Sequence, residues 1–248
     1  MDILIALAVF VLGFATMFFG AISGGVGLVT RPILVLMGFP ASAVISSSRV
    51  AVVGEWPGLY LLHKHNKIDW SIVLFLVIPM TIGAVLATLA VLTVFKSSIN
   101  RVLGVLLLLA GLFFLFKGRL GVSSQNNRFS KFKSSVIAFF GTLPIAFFGT
   151  ITGGLGPLYS FFYIWVYGKN FIAASALWRT ASNISALFSA IIFVISGVVD
   201  WQLCILLIVG FMIGGYFGTR YGLKKGEQWV RYIVLIITFA GGIKLLFF

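Results

Sequence analysis

Acidic side chains are nearly missing. Asp and Glu number 5 in 248 residues, and charged residues of both signs make up 9%, against roughly 25% in a soluble globular domain. Water is therefore not the solvent for most of this surface. Cysteine is represented by Cys204 alone, inside an apolar run, which excludes a disulfide framework and a thiolate metal site and reads as a small buried hydrophobe. The 2 histidines, His63 and His65, fall in the basic stretch HKHNK. No cluster has metal-ligand spacing, so neither metal nor cofactor is expected, and enzyme activity is not. Period-2 alternation is also missing, which argues against a β-barrel.

Hydrophobic residues, by contrast, make up 60% of the chain, and the mean hydropathy is +1.14. Several apolar runs reach the roughly 20 residues a helix needs to cross a bilayer. The expected fold class is an all-α integral membrane protein, multi-pass, in the cell inner membrane. The net charge of +13 does not signal nucleic acid, because the lysines and arginines fall mostly in short loops, as the positive-inside rule expects, and no polar domain presents a groove. The N-terminus has no basic region before the apolar run from Ile3 and no clear cleavage site, so the first helix is expected to be retained.

One stretch occurs twice: FFGAISGGVG at 18–27 and FFGTITGGLG at 147–156. Each is a glycine-rich interruption of an apolar run. Glycine admits backbone angles other residues resist and lets a helix or ligand come close. Neither copy is a phosphate-binding loop, since no Lys-Ser or Lys-Thr follows and no strand and helix alternation surrounds it. The expected helices of the first half cover residues 2–19, 28–38, 41–62, 68–94 and 99–116. Those of the second cover 134–148, 157–168, 171–195, 202–221 and 229–247.

The likeness of the halves extends beyond the glycines. At an offset of about 130, Gly20 matches Gly149, Arg49 matches Arg179, Asp69 and Trp70 match Asp200 and Trp201, and Gly83 matches Gly214. Chance matching of apolar sequence does not keep rare Arg, Asp and Trp in register. The organisation is a first transmembrane repeat at 1–117, a basic cytoplasmic linker at 118–133 and a second repeat at 134–248. Lys64 and Lys67 make the loop at 63–67 cytoplasmic, whereas the equivalent loop at 196–200 lacks Lys and Arg and faces out. The repeats are thus expected to be inverted, with glycine-broken helices that are re-entrant or discontinuous.

Arg49 and Arg179 are the sharpest site candidates. Intramembrane charge marks a pathway or ligand by default, and a guanidinium forks onto oxyanions; the structural alternative is snorkelling to headgroups. Arg31 has no basic counterpart around residues 159–161 and reads as a third ligand, an entrance charge or a lipid contact. The breaks offer Ser23, Gly24 and Gly25 in one half and Thr152, Gly153 and Gly154 in the other, as half-helix N-termini that cradle an anion or as tight crossings without a ligand. Ser46 and Ser47 add hydroxyls before Arg49, and Asn183 follows Arg179 on the same helix face. Glu55, the only acidic residue well inside an expected span, is either a proton carrier or part of a structural ion pair.

Taken together, the two glycine breaks, each followed by a proline, with Gly20, Ser23, Gly24, Gly25, Gly27, Pro32, Gly38, Ala43, Ser46 and Ser47 in the first half and Gly149, Gly153, Gly154, Gly156, Pro157, Ala174 and Ala176 in the second, resemble the TauE/SafE family of sulfite exporters and related anion permeases. The likeness covers almost the whole chain. It implies transport of sulfite, sulfonates, thiosulfate or related small anions. Members commonly show a longer glycine triplet and a Gly-Thr-Ser sequence where this chain has GGVG, Arg31 before Pro32, and Ser46 to Ser48 before Arg49.

The leading expectation is a secondary transporter of a small oxyanion or organic anion working by alternating access, coupled to H+ or Na+. An anion channel and a membrane scaffold or lipid-binding protein are the alternatives; the scaffold predicts arginines at headgroups and no central cavity. The chain is expected among membrane lipids as a monomer or as a homodimer formed through Gly210, Gly214, Gly215 and Gly218.

Overall fold

The computed structural model describes residues 1–94 and 130–225. The spans expected at 99–116 and 229–247, and residues 118–129 of the linker, lie outside them. The described chain is helical: α1 (Ile3–Ser23), α2 (Val26–Leu36), α3 (Ala41–Val50), a 3-10 turn (Ala51–Glu55), α4 (Trp56–His65), α5 (Trp70–Leu92), α6 (Lys131–Thr152), α7 (Gly156–Tyr167), α8 (Phe171–Ile195) and α9 (Trp201–Lys225). Five of these, α1, α5, α6, α8 and α9, are long and apolar enough to cross a membrane. Their outer faces suit lipid: on α5, Leu74, Ile78, Ile82 and Leu86 form an exposed stripe at four-residue spacing. The chain is a multi-pass membrane bundle.

Both breaks are shorter than the glycine pattern suggested. α1 runs through Gly20 and is capped by Gly24, while α6 runs through Gly149 and is capped by Gly153. A single glycine inside a helix costs about 1 kcal/mol, less than an unmade backbone hydrogen bond in an apolar medium, so the ladder continues. The chain turns only where φ becomes positive, at Gly24 (77°), Gly25 (85°) and Gly153 (67°), a region that L side chains rarely adopt.

The helix expected at 41–62 is a second correction: the 3-10 turn splits it. Pro57 has no N–H to offer the carbonyl of Val53, and its ring crowds that carbonyl. Trp56 donates to Val53 instead, in the 3-10 pattern. The equivalent region of α8 has Leu187 in place of Pro57 and runs unbroken for 25 residues. Asp69 and Asp200 cap the starts of α5 and α9, with Asp69 Oδ1 accepting from Ile72 N at 3.4 Å and Asp200 Oδ1 accepting from Leu203 N at 3.0 Å.

The halves are interleaved. α1 lies along α9, and α5 lies on α6 and α8. A Cβ added at Gly210, Gly214 or Gly218 falls under 3.0 Å from the carbonyl oxygens of Phe10, Phe14 and Phe18 respectively. The glycine stripe offered as a dimer face is therefore consumed inside the monomer, because small residues let α1 and α9 approach backbone to backbone. Gly83, the counterpart of Gly214, makes the same kind of contact with the carbonyl of Leu143 on α6.

Candidate functional site

The two breaks meet at the centre. Gly27 N–H donates to the carbonyl of Gly153 at 2.9 Å. A Cβ on Gly27 would lie 2.5 Å from Gly153 Cα, and one on Gly24 would lie 2.8 Å from Gly156 Cα. Gly24 and Gly27 occupy the positions equivalent to Gly153 and Gly156, so the contacts Gly24–Gly156 and Gly27–Gly153 exchange under the repeat register. The N-termini of α2 and α7 both lie here and bring the positive ends of their helix dipoles to the crossing.

A cavity of about 90 Å³ adjoins the crossing, several times the roughly 10–15 Å³ that a single water needs. Arg31, Arg49, Glu55, Arg179 and Asn183 line it with Gly24, Gly25 and Gly153. Three guanidinium groups thus face one carboxylate.

Their environments differ. Arg31 is 3% exposed; its Nε donates to Ser48 Oγ at 3.0 Å, and its Nη1 donates to the carbonyls of Thr150 (2.7 Å) and Ile151. Those carbonyls end α6, so Arg31 supplies the donors that the break takes away and sits at the negative end of that helix. Arg179 Nη2 donates to Glu55 Oε2 at 3.0 Å, and Asn183 Nδ2 reaches the same oxygen at 3.3 Å. Arg179 Nη1, Asn183 Oδ1, Ser185 Oγ and Arg49 Nε are buried with no protein partner, and all four residues line the cavity. Buried polar atoms are normally satisfied. Among the described residues, four of these exceptions gather around one cavity, two of them donors on arginines and one the acceptor Asn183 Oδ1.

Ser46, Ser47, Thr152 and Gly154 fall outside the cavity lining. Ser46 Oγ donates to the carbonyl of Val198 at 2.9 Å, and Ser47 Oγ bonds both the carbonyl and the N–H of Asp200 at 3.0 Å. These serines tether the turn between α8 and α9. Thr152 Oγ1 donates to Phe148 O at 3.0 Å and accepts from Gly154 N at 3.4 Å, which uses both residues to shape the second break. Ser23 is the last residue of α1.

Sequence reasoning offers Ser185 as polar lining beyond Arg179, and it does line the cavity; it missed Ser48, Tyr159 and Trp178, which line it too. Aromatics in an apolar chain carry no signal of their own. The repeat register does: Arg31 and Ser48 stand opposite Ser160 and Trp178. Arg31 Nε donates to Ser48 Oγ at 3.0 Å, and Trp178 Nε1 donates to Ser160 Oγ at 2.8 Å. The same hydrogen bond is made twice with donor and acceptor exchanged.

A family model described as Sulfite exporter TauE/SafE matches residues 9–245. The chain belongs to the TauE/SafE family. Its similarity to other membrane transporters runs nearly end to end. It is 28% identical over 236 residues to a probable membrane transporter protein of Haemophilus influenzae, covering 93% of this chain and 90% of that one. It is 26% identical over 239 residues to the probable membrane transporter protein YfcA of Escherichia coli K12, covering 93% and 85%, and 24% identical over 243 residues to the probable membrane transporter protein ORF9 of a Sinorhizobium species, covering 96% and 90%. No solved structure matches significantly. As a TauE/SafE protein the chain is a membrane transporter. The scaffold alternative also fails on geometry, since Arg49 and Arg179 are 8% and 1% exposed and line a central cavity.

Proposed function

We propose that this TauE/SafE protein is a secondary transporter, in the inner membrane, of a small oxyanion or organic anion such as sulfite, a sulfonate or thiosulfate. The substrate binds between Arg49 and Arg179, beneath the N-termini of α2 and α7, and two inverted repeats alternate access to it. The observation that carries the reading is the pair of buried, unpartnered guanidinium atoms, Arg49 Nε and Arg179 Nη1, in one cavity at the crossing of the breaks. Guanidinium nitrogens and half-helix N-termini both favour oxyanions. The exchange of the Gly24–Gly156 and Gly27–Gly153 contacts supports a two-fold relation between the repeats, and the loop charges support its inversion. Glu55, the acidic group among the cavity-lining residues, is ion-paired with Arg179 at 3.0 Å.

Counterflow of labelled sulfite and thiosulfate into preloaded proteoliposomes tests this. A carrier gives saturable uptake stimulated by internal anion. Flux that rises linearly with concentration and ignores internal anion makes the protein a channel.

A further inference from the structure

The two walls of the cavity are built from equivalent positions and are chemically unlike. The first half contributes Thr30, Arg31 and Ser48; at the equivalent positions the second contributes Tyr159 and Trp178, while Ser160, outside the lining, holds the indole. A small inorganic oxyanion presents oxygen on most sides and is matched by like walls. Walls of different chemistry match a ligand with different ends.

The aromatic wall is held firmly. The rings of Tyr159 and Trp178 stack, with centroids 5.7 Å apart and planes 13° from parallel. The indole Nε1 donates to Ser160 Oγ at 2.8 Å, and that hydroxyl donates to the carbonyl of Gly156 at 3.3 Å. The far edge of the indole abuts the glycine crossing, where a Cβ on Gly24 would meet it at 3.0 Å. An aromatic surface fixed on three sides is preorganised and loses little entropy when a ligand lies against it. Met17 and Met80 line the cavity together with Val26, Val52, Ala146, Leu155 and Phe211, and thioether side chains adapt to irregular shapes.

We propose that the substrate is an organic anion, a sulfonate or carboxylate head carrying a short apolar tail, and that Trp178 stacked on Tyr159 is the surface that selects the tail. This rests on the transport site proposed above. The head meets Arg49 and Arg179, and the tail lies toward the indole. The cavity is small, about 90 Å³, so the selectivity has an upper limit in length.

The test is inhibition of labelled propane-1-sulfonate counterflow by sulfite and by methane-, ethane-, propane- and hexanesulfonate, all carrying an anionic head at neutral pH. In the wild-type protein, apparent affinity should rise about fourfold per added carbon up to propane, fall at hexane, and exceed that of sulfite. Trp178→Ala should flatten the series, bringing the roughly fifteenfold propane to methane ratio close to one, while Trp178→Phe should keep most of the slope. The wild-type series decides the matter even where Trp178→Ala fails to fold. Sulfite moving by saturable counterflow and competing as well as propanesulfonate overturns the tail proposal and leaves the transport site standing. A slope unchanged in folded Trp178→Ala overturns it as well. If neither sulfite nor any sulfonate moves, both readings fall together.

Discussion

Arg179 Nη2 lies 3.0 Å from Glu55 Oε2, joining a helix of the second half to the 3-10 turn of the first. The turn exists because Pro57 breaks the helix there, and without it Glu55 would be carried on a different helical phase. Removing one partner of a buried pair costs about 3 to 5 kcal/mol, because it strands the other charge. Glu55 is 14% exposed and Arg179 is 1% exposed, so Glu55→Ala, which strands the deeper arginine, should destabilise toward the low end, about 3 kcal/mol. The double variant Arg179→Met/Glu55→Leu should recover most of the loss. Thermal unfolding in detergent reads both.

Arg31 and Arg49 should separate stability from function. Arg31 ties three acceptors, including two carbonyls at the end of α6, so Arg31→Ala should lower stability by about 2 to 4 kcal/mol. Arg49 Nε has no partner to lose. Arg49→Ala should leave the unfolding temperature within a few degrees of wild type while reducing anion counterflow at least tenfold. Equal destabilisation by the two substitutions would show that Arg49 is structural.

The glycines of the crossing should be intolerant for a steric reason that differs from position to position. A Cβ at Gly27 meets the backbone of Gly153 at 2.5 Å, whereas one at Gly38 meets nothing within 4 Å but must sit at a φ of 94°. Backbone atoms cannot move aside as a side chain does. Gly27→Ala should therefore abolish well-behaved protein on size-exclusion chromatography, and Gly38→Ala should cost only about 1 kcal/mol of conformational strain.

Substitution on the α9 stripe distinguishes an internal seam from an oligomer interface. Gly214→Val drives a side chain into the backbone of Phe14, so it should unfold or destabilise the monomer at every protein concentration. A dimer interface would instead lose association while the monomer stayed intact, which analytical ultracentrifugation separates.

Much of this was legible before the fold. Rare residues in an apolar chain stand out, so Arg49, Arg179 and the offset of about 130 located the cavity and paired its walls. The positions of the helix ends were less legible, because glycine marks where a chain is able to turn and only the positive φ at Gly24, Gly25 and Gly153 marks where it does. The split at the 3-10 turn was available from Pro57 and Gly54, but the hydrophobic run across them outweighed the signal. Ser46 and Ser47 were drawn to the site by their nearness in sequence to Arg49, yet helical phase turns them to the α8 to α9 connection and leaves Ser48 against Arg31. Trp178 and Tyr159 had no independent mark, and only the comparison of equivalent positions exposes them.

Counterflow of labelled anion into proteoliposomes carrying folded Arg49→Ala, set against wild type at matched reconstitution, tests the central claim most directly. The anion site proposed between Arg49 and Arg179 predicts saturable uptake in wild type and at least a tenfold loss in the variant, with unfolding temperatures alike. Wild-type uptake that survives the substitution undiminished would contradict it.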